Sequence, residues 1–170
     1  MRLTKKVELV WGTRFLSIYN TLCRTNFVIE RQNENPDIDC RDIGSGLYLG
    51  LEIKRHGNLP GDVETDERLA RGEDVSFSNS LGQRGNIDNI IQRLEVTLEK
   101  VRTTNYQGSN VALVIPTVTR MWDRHALINQ FELLNFRWVV KEFETKFPAG
   151  IWFFCHGPHE GLDLIELTAL

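Results

Sequence analysis

The chain has little that would mark a secreted, membrane-spanning or repeat protein. It holds 3 cysteines in 170 residues, Cys23, Cys40 and Cys155. That odd count gives no disulfide framework, and three thiols in apolar surroundings read as buried and reduced, in a cytoplasmic protein. No apolar run approaches the length of a membrane span, and the opening MRLTKKVEL lacks a secretory hydrophobic segment. There is no internal repeat and no low-complexity tract. Nor is there a surplus of positive charge: the formal net charge is −3. A sequence-independent coat for nucleic acid would be basic, so that class is disfavoured. An enzyme that acts on nucleic acid through metal-binding carboxylates is still compatible with the total. With 41% hydrophobic and 25% charged residues the composition is that of a single globular domain spanning residues 1–170.

What is present centres on Asn35 to Arg55, NPDIDCRDIGSGLYLGLEIKR. It reads as two strands joined by the turn Asp42-Ile43-Gly44-Ser45-Gly46, rich in residues that tolerate positive φ. In the second strand Leu47, Leu49, Leu51 and Ile53 share one face, and Tyr48, Gly50, Glu52 and Lys54 the other. Glu52 and Lys54 therefore project together, about 6.6 Å apart along the backbone. In the first strand Asp37 and Asp39 share a face opposite Ile38 and Cys40. Two acidic groups and a lysine would converge over one face of an otherwise apolar sheet. That is either a site or a partly buried ion pair that only stabilises itself.

Before this hairpin, Val7, Val10, Trp11, Phe15, Ile18 and Leu22 recur at helical spacing from Thr4 to about Cys23, with Thr4 as N-cap and Gly12 leaving room for close approach. Asn26 to Glu30 is a short strand. After Lys54, the segment Arg55 to Gly85 is rich in glycine and charge and poor in large apolar residues. It reads as a long loop, with one short helix at Thr65 to Arg71, and as the most mobile internal segment. Its acidic residues would repel a nucleic-acid backbone and would suit a protein partner. Asn86 to about Thr104 is a second amphipathic helix with Asn86 as N-cap. Val111 to Pro116 and Ile151 to Cys155 are continuous apolar runs, typical of strands covered on both faces. A helical region from Asp123 to Lys146, broken near Asn135, separates them, and Leu162 to Leu167 is a last strand.

Pro36-Asp37 followed fifteen positions on by Glu52-Ile53-Lys54 resembles the PD-(D/E)xK nuclease superfamily. The order helix, three strands, helix, strand agrees with that superfamily over roughly residues 5–116, with residues 117–170 as a C-terminal helix-strand elaboration. The resemblance implies a three-layer α/β/α fold with a central mixed sheet, restriction-endonuclease-like. It implies an Mg²⁺- or Mn²⁺-dependent endonuclease that hydrolyses phosphodiester bonds in nucleic acid, with DNA the expected polymer. Asp37, Glu52 and Lys54 would be the catalytic residues, and Asp37, Glu52 and the backbone carbonyl of Ile53 the metal ligands. Glu8 on the first helix and Gln92 on the second are additional candidates. Each also reads as a solvated helix residue. Small relatives often work as homodimers. The competing reading is a catalytically inactive relative that uses the fold as a protein- or nucleic-acid-binding module.

Other clusters carry less. His156, His159 and Glu160 have no third or fourth ligand at zinc spacing. Arg120, Arg124 and His125 near Trp122 suit the start of a surface helix. Cys155 and His156, adjacent on a strand, point to opposite faces. Glu30, at a strand end, ranks below Glu8.

Overall fold

A computed structural model describes residues 3–55, 62–75, 78–79, 84–117, 120–133, 135–157 and 161–170. In order along the chain it contains α1 (Leu3–Cys23), β1 (Phe27–Gln32), β2 (Ile38–Asp42), β3 (Tyr48–Ile53), α2 (Asp62–Ala70), β4 (Ser78–Asn79) and α3 (Arg84–Arg102). There follow β5 (Val111–Ile115), β6 (Arg120–Met121), α4 (Arg124–Leu133), α5 (Arg137–Lys141), β7 (Ile151–His156) and β8 (Leu162–Glu166).

The period-two alternation of the apolar strands decides the architecture. In β5, Val111, Leu113 and Ile115 join one core, and Ala112 and Val114 join another. In β7, Ile151, Phe153 and Cys155 go to the first, and Trp152 and Phe154 to the second. Strands that are apolar on both faces need a cover on both faces. On one side α3, α4 and α5 supply it with Ile90, Leu94, Leu98, Val101, Leu127, Phe131 and Val140. On the other, α1 and α2 supply Val7, Trp11, Phe15, Leu16 and Leu69. The result is an α/β fold with a mixed sheet between helical layers. Strand order is β1-β2-β3-β5-β7-β8. β1, β2 and β3 form an antiparallel meander, β3, β5 and β7 run parallel, and β8 returns antiparallel to β7. β4 and β6 pair separately.

α1 lies close on the sheet because Gly12 has no side chain: a Cβ there would overlap Ile38 Cδ1. Its aromatic residues then reach the far strands. Trp11 meets Phe154 edge-on at 5.0 Å between ring centroids, and Phe15 meets Trp152 at 5.9 Å.

Several sequence expectations shift. Thr4 and Asn86 lie inside their helices rather than capping them, since α1 starts at Leu3 and α3 at Arg84. Leu22, in the last turn of α1, is 54% exposed, and Cys23 is an exposed thiol. Leu47 precedes β3 and is also exposed. The break near Asn135 is present, with Asn135 at φ 51 between α4 and α5. The segment after Lys54 is not simply a loop. Its helix α2 is anchored by Leu69, 1% exposed in the core under α1, and by buried Asp66, which pairs with Arg55 at 2.5 Å. Residues 71–75 are irregular as expected, but Ser78–Asn79 form β4 and Arg84 and Gly85 already belong to α3; residues 56–61, 76–77 and 80–83 lie outside the described residues, as do His159 and Glu160.

Candidate functional site

The β2–β3 ladder ends at Ile38 opposite Leu51. One position further on, side chains take over from the backbone. Asp37 turns its carboxylate onto the Ile53 N–H, with Oδ2 accepting at 2.8 Å. A strand residue presents its N–H and C=O on the same edge. The Ile53 carbonyl therefore opens toward Asp37, while Lys54 N–H continues the parallel ladder by donating to the Val114 carbonyl at 3.0 Å. Glu52 is 1% exposed. Lys54, beyond it on the same face, folds back so that Nζ touches Glu52 Oε1 and lies 3.6 Å from Asp37 Oδ2. The alternation read from LEIK thus brings Asp37, Glu52 and Lys54 together.

Pro36 and Gly50 are part of this construction. A Cβ on Gly50 would stand 2.6 Å from Pro36 Cγ and 2.8 Å from Tyr48 Oη. The glycine therefore lets the proline lie down on β3, immediately before the aspartate. The Asn35–Pro36 peptide is cis.

The first turns of α1 close the site from the other side. Lys5 and Glu8, one turn apart, form a pair at 3.2 Å, and Lys5 Nζ lies 3.6 Å from Asp37 Oδ1. Lys5 also donates to the Asn33 carbonyl. Glu8 is buried, which places it in the cluster and not on a solvated face. Lys5 was not singled out from sequence. Its only local sign is the spacing Lys5-Glu8 at the start of an amphipathic helix, a pattern common on wet helix faces. Gln92 does not join. It is exposed on α3, away from the stripe Ile90, Leu94, Leu98, and no contact among the described residues ties it to the cluster.

Electrostatically the cluster is strained toward protonation. Burial, with Asp37 adding to it, pushes the Glu52 carboxyl up to about 7 although Lys54 pulls the other way. Burial likewise raises Glu8, again reinforced by Asp37 and opposed by Lys5. For Lys54 burial favours the neutral amine, but Asp37, Glu52 and Glu8 outweigh it and hold the ammonium above its ordinary range. Three carboxylates face two ammonium groups, which leaves one negative charge over when all are ionised. Two oxygens are also left over. Glu52 Oε2 and Glu8 Oε2 are buried without a hydrogen bond, the latter near Lys5 but not aligned with it. Half-buried Tyr106 stands beside Glu52, its hydroxyl interacting with that carboxylate without a well-formed hydrogen bond.

Excess negative charge and unmatched carboxylate oxygens fit a hard divalent cation. Among the described residues no three His, Cys, Asp or Glu side chains are gathered as a ready metal cage. Mg²⁺ does not require one, since it is bound through one or two carboxylates with water and phosphate completing its shell. Asp37 and Glu52 would supply that number, with the Ile53 carbonyl on the same side.

Elsewhere, Arg124 lies 3.5 Å from Asp163 at the start of α4, and Trp122 is buried. Cys155 is buried among apolar residues, and its thiol is pushed up to about 12 chiefly by that burial, unsuited to a nucleophile. Among the described residues no helix is long and apolar enough to cross a membrane. No protein-family model, curated protein or solved structure matches this chain.

Proposed function

We propose that this chain is a metal-dependent nuclease that hydrolyses phosphodiester bonds in nucleic acid, with DNA the expected polymer. The observation that carries the reading is the buried Glu52 carboxylate beside Asp37, one of its oxygens lacking a well-formed hydrogen bond, with one lysine bridging both carboxylates. The order α1, three antiparallel strands, α3 and a parallel β5 supports it as well, being the order expected from the PD-(D/E)xK resemblance with α2 and β4 inserted before α3.

Mg²⁺ or Mn²⁺, held by Asp37, Glu52 and the Ile53 carbonyl, would supply a water acidic enough to attack near neutral pH and would neutralise charge at phosphorus. Lys54 keeps its proton, so it acts as a donor. It orients the attacking water and stabilises the negative charge that grows on the phosphoryl oxygens. Glu8, paired with Lys5 in the same cluster and raised toward protonation by its burial, would take up the proton that such a water gives off. Lys5 holds Glu8 and Asp37 at their separation. The burial of Glu52 and Asp37 excludes bulk water and strengthens each of these interactions.

Calorimetric titration with Mn²⁺ and a plasmid-nicking assay test the proposal. Asp37→Ala and Glu52→Ala are expected to lose metal binding and cleavage together. Lys54→Ala should still bind metal while cleavage falls by roughly 10²–10⁴-fold, the usual cost of one acid–base or charge-stabilising group. A wild-type protein that neither binds Mn²⁺ nor nicks any form of DNA or RNA, with all three variants merely less stable, would leave only a self-compensating ion cluster.

A further inference from the structure

The β1–β2 pairing carries one irregularity, and it re-aims a charged side chain. Ile29 stands opposite Cys40 and Arg31 opposite Asp39, so Glu30 is an extra residue in β1. A bulge of this kind reverses the side-chain alternation beyond it. Phe27 and Ile29 belong to the core under α1. Without the extra residue Arg31 would follow them inward. With it, Arg31 stands on the opposite face, across from Asp39.

Asp39 is 3% exposed and receives three donors. Arg31 Nε lies 2.6 Å and Asn33 Nδ2 3.2 Å from its Oδ2, and Tyr48 Oη lies 2.8 Å from its Oδ1. With three donors on it, the carboxylate is fixed and already well bonded. Arg31 uses only Nε to reach it. Its two terminal amino groups have no partner among the described residues, and the side chain is 73% exposed. A guanidinium clamped through Nε with both amino groups turned to solvent is a preformed fork for two oxygens of one phosphate.

The fork is close to the carboxylate cluster. Asp39 pairs with Gly50, two residues from Glu52 on the same face, as Asp39 is two from Asp37. One such step is about 6.6 Å along a strand, and Arg31 lies one strand further out. Asn33 joins the two places. Its N–H donates to the Asp37 carbonyl at 2.8 Å, its carbonyl accepts from Lys5, and its side chain reaches Asp39.

We propose that Arg31 is a positioning residue that anchors a backbone phosphate of nucleic acid beside the bond that is cut; the identity of that polymer rests on the nuclease reading above. The bulge at Glu30 exists, on this view, to present Arg31 outward instead of burying it. An Arg31 that served only to neutralise Asp39 would not need its terminal groups free.

The test is binding of a fluorescent DNA, duplex and single-stranded, to the full chain in metal-free buffer over a salt series, with wild type, Arg31→Lys and Arg31→Ala. Arg31→Lys keeps a charge for Asp39 and is expected to melt like wild type. Both variants should bind about tenfold more weakly, the scale of one charged hydrogen-bonded contact. The slope of log affinity against log salt should fall by about one in Arg31→Ala and stay closer to wild type in Arg31→Lys, which keeps the charge but not the fork. With Mn²⁺ present, KM should rise with kcat kept. Variants that match wild type in affinity and salt slope overturn the inference, even if the wild type cuts DNA. Wild type that binds DNA in an Arg31-dependent, salt-sensitive way but never cuts it upholds the anchor and ends the nuclease reading. Wild type that binds inorganic phosphate but no nucleic acid overturns the anchor as stated.

Discussion

Replacing Glu52 by Gln and following stability against pH measures the electrostatics of the cluster directly. In the folded chain this carboxyl titrates at about 7 against an ordinary 4.5, because burial and the neighbouring Asp37 penalise its charge. The short contact with Lys54 favours the ionised form. Burial prevails because removing a carboxylate from water costs several kcal/mol, and Lys54 is shared with Asp37. The sign follows from which state holds the proton. Between these two pH values the folded chain keeps a proton that the unfolded chain has released. Its contribution is therefore complete below the ordinary carboxylate range and is lost as pH rises toward 7. A shift of this size corresponds to about 3 kcal/mol at 1.36 kcal/mol per pH unit. For a chain of this length that is roughly 6–12 °C in melting temperature. An amide side chain cannot titrate, so the Glu52→Gln variant should hold nearly level over the same interval, apart from a smaller decline from Glu8, which is raised in the same direction. Carboxylates held low, such as Asp39, lose their contribution only at more acidic pH and do not intrude. Urea melts of both proteins between about pH 5 and 8 supply the comparison. Parallel curves would refute the reasoning, and so would a wild type that gains stability across the interval.

Under the proposed metal binding, Mn²⁺ has to displace the Glu52 proton, so its affinity should strengthen up to about tenfold per pH unit below 7 and then level off, read by calorimetry; an affinity flat across that range would remove Glu52 from the ligands. Gly12→Val places methyl groups where Ile38 Cδ1 already sits and should cost about 1–3 kcal/mol in denaturant melts; an unchanged midpoint would mean that α1 is not seated as described. Leu69→Ala should cost about 2–5 kcal/mol and speed hydrogen exchange in α2. Exchange in α2 already as fast as in a free peptide would show that the helix is not docked.

Much of this fold could be read locally because burial writes its period into the chain. The runs Val111 to Ile115 and Ile151 to Cys155 are apolar at every position because each faces a core on both sides. Asp37, Glu52 and Lys54 were legible for the same reason: a charge at a position where alternation demands only a small or apolar residue stands out. Lys5 was not, since its role depends on where α1 lands on the sheet, which no local pattern states. The bulge at Glu30 leaves no mark in composition, and it reverses the face of Arg31. Thr4 and Asn86 have the chemistry of caps, yet their helices begin before them. Helix α2 was underestimated because a single leucine and a buried ion pair anchor it, too few residues to give a periodic signal.

The packing of α1 on β7 ties two segments far apart in sequence together in time as well as in space. Glu8 sits one turn before Trp11, whose ring is lodged against Phe154. During synthesis the hairpin that carries Asp37, Glu52 and Lys54 emerges early and can pair with itself. The helix that delivers Lys5 and Glu8 has no complete seat until Trp152 and Phe154 have left the ribosome. A nascent chain ending at Pro116 would therefore carry the three residues of the motif and still lack an assembled cluster. The cluster would be completed by the arrival of residues that lie outside it.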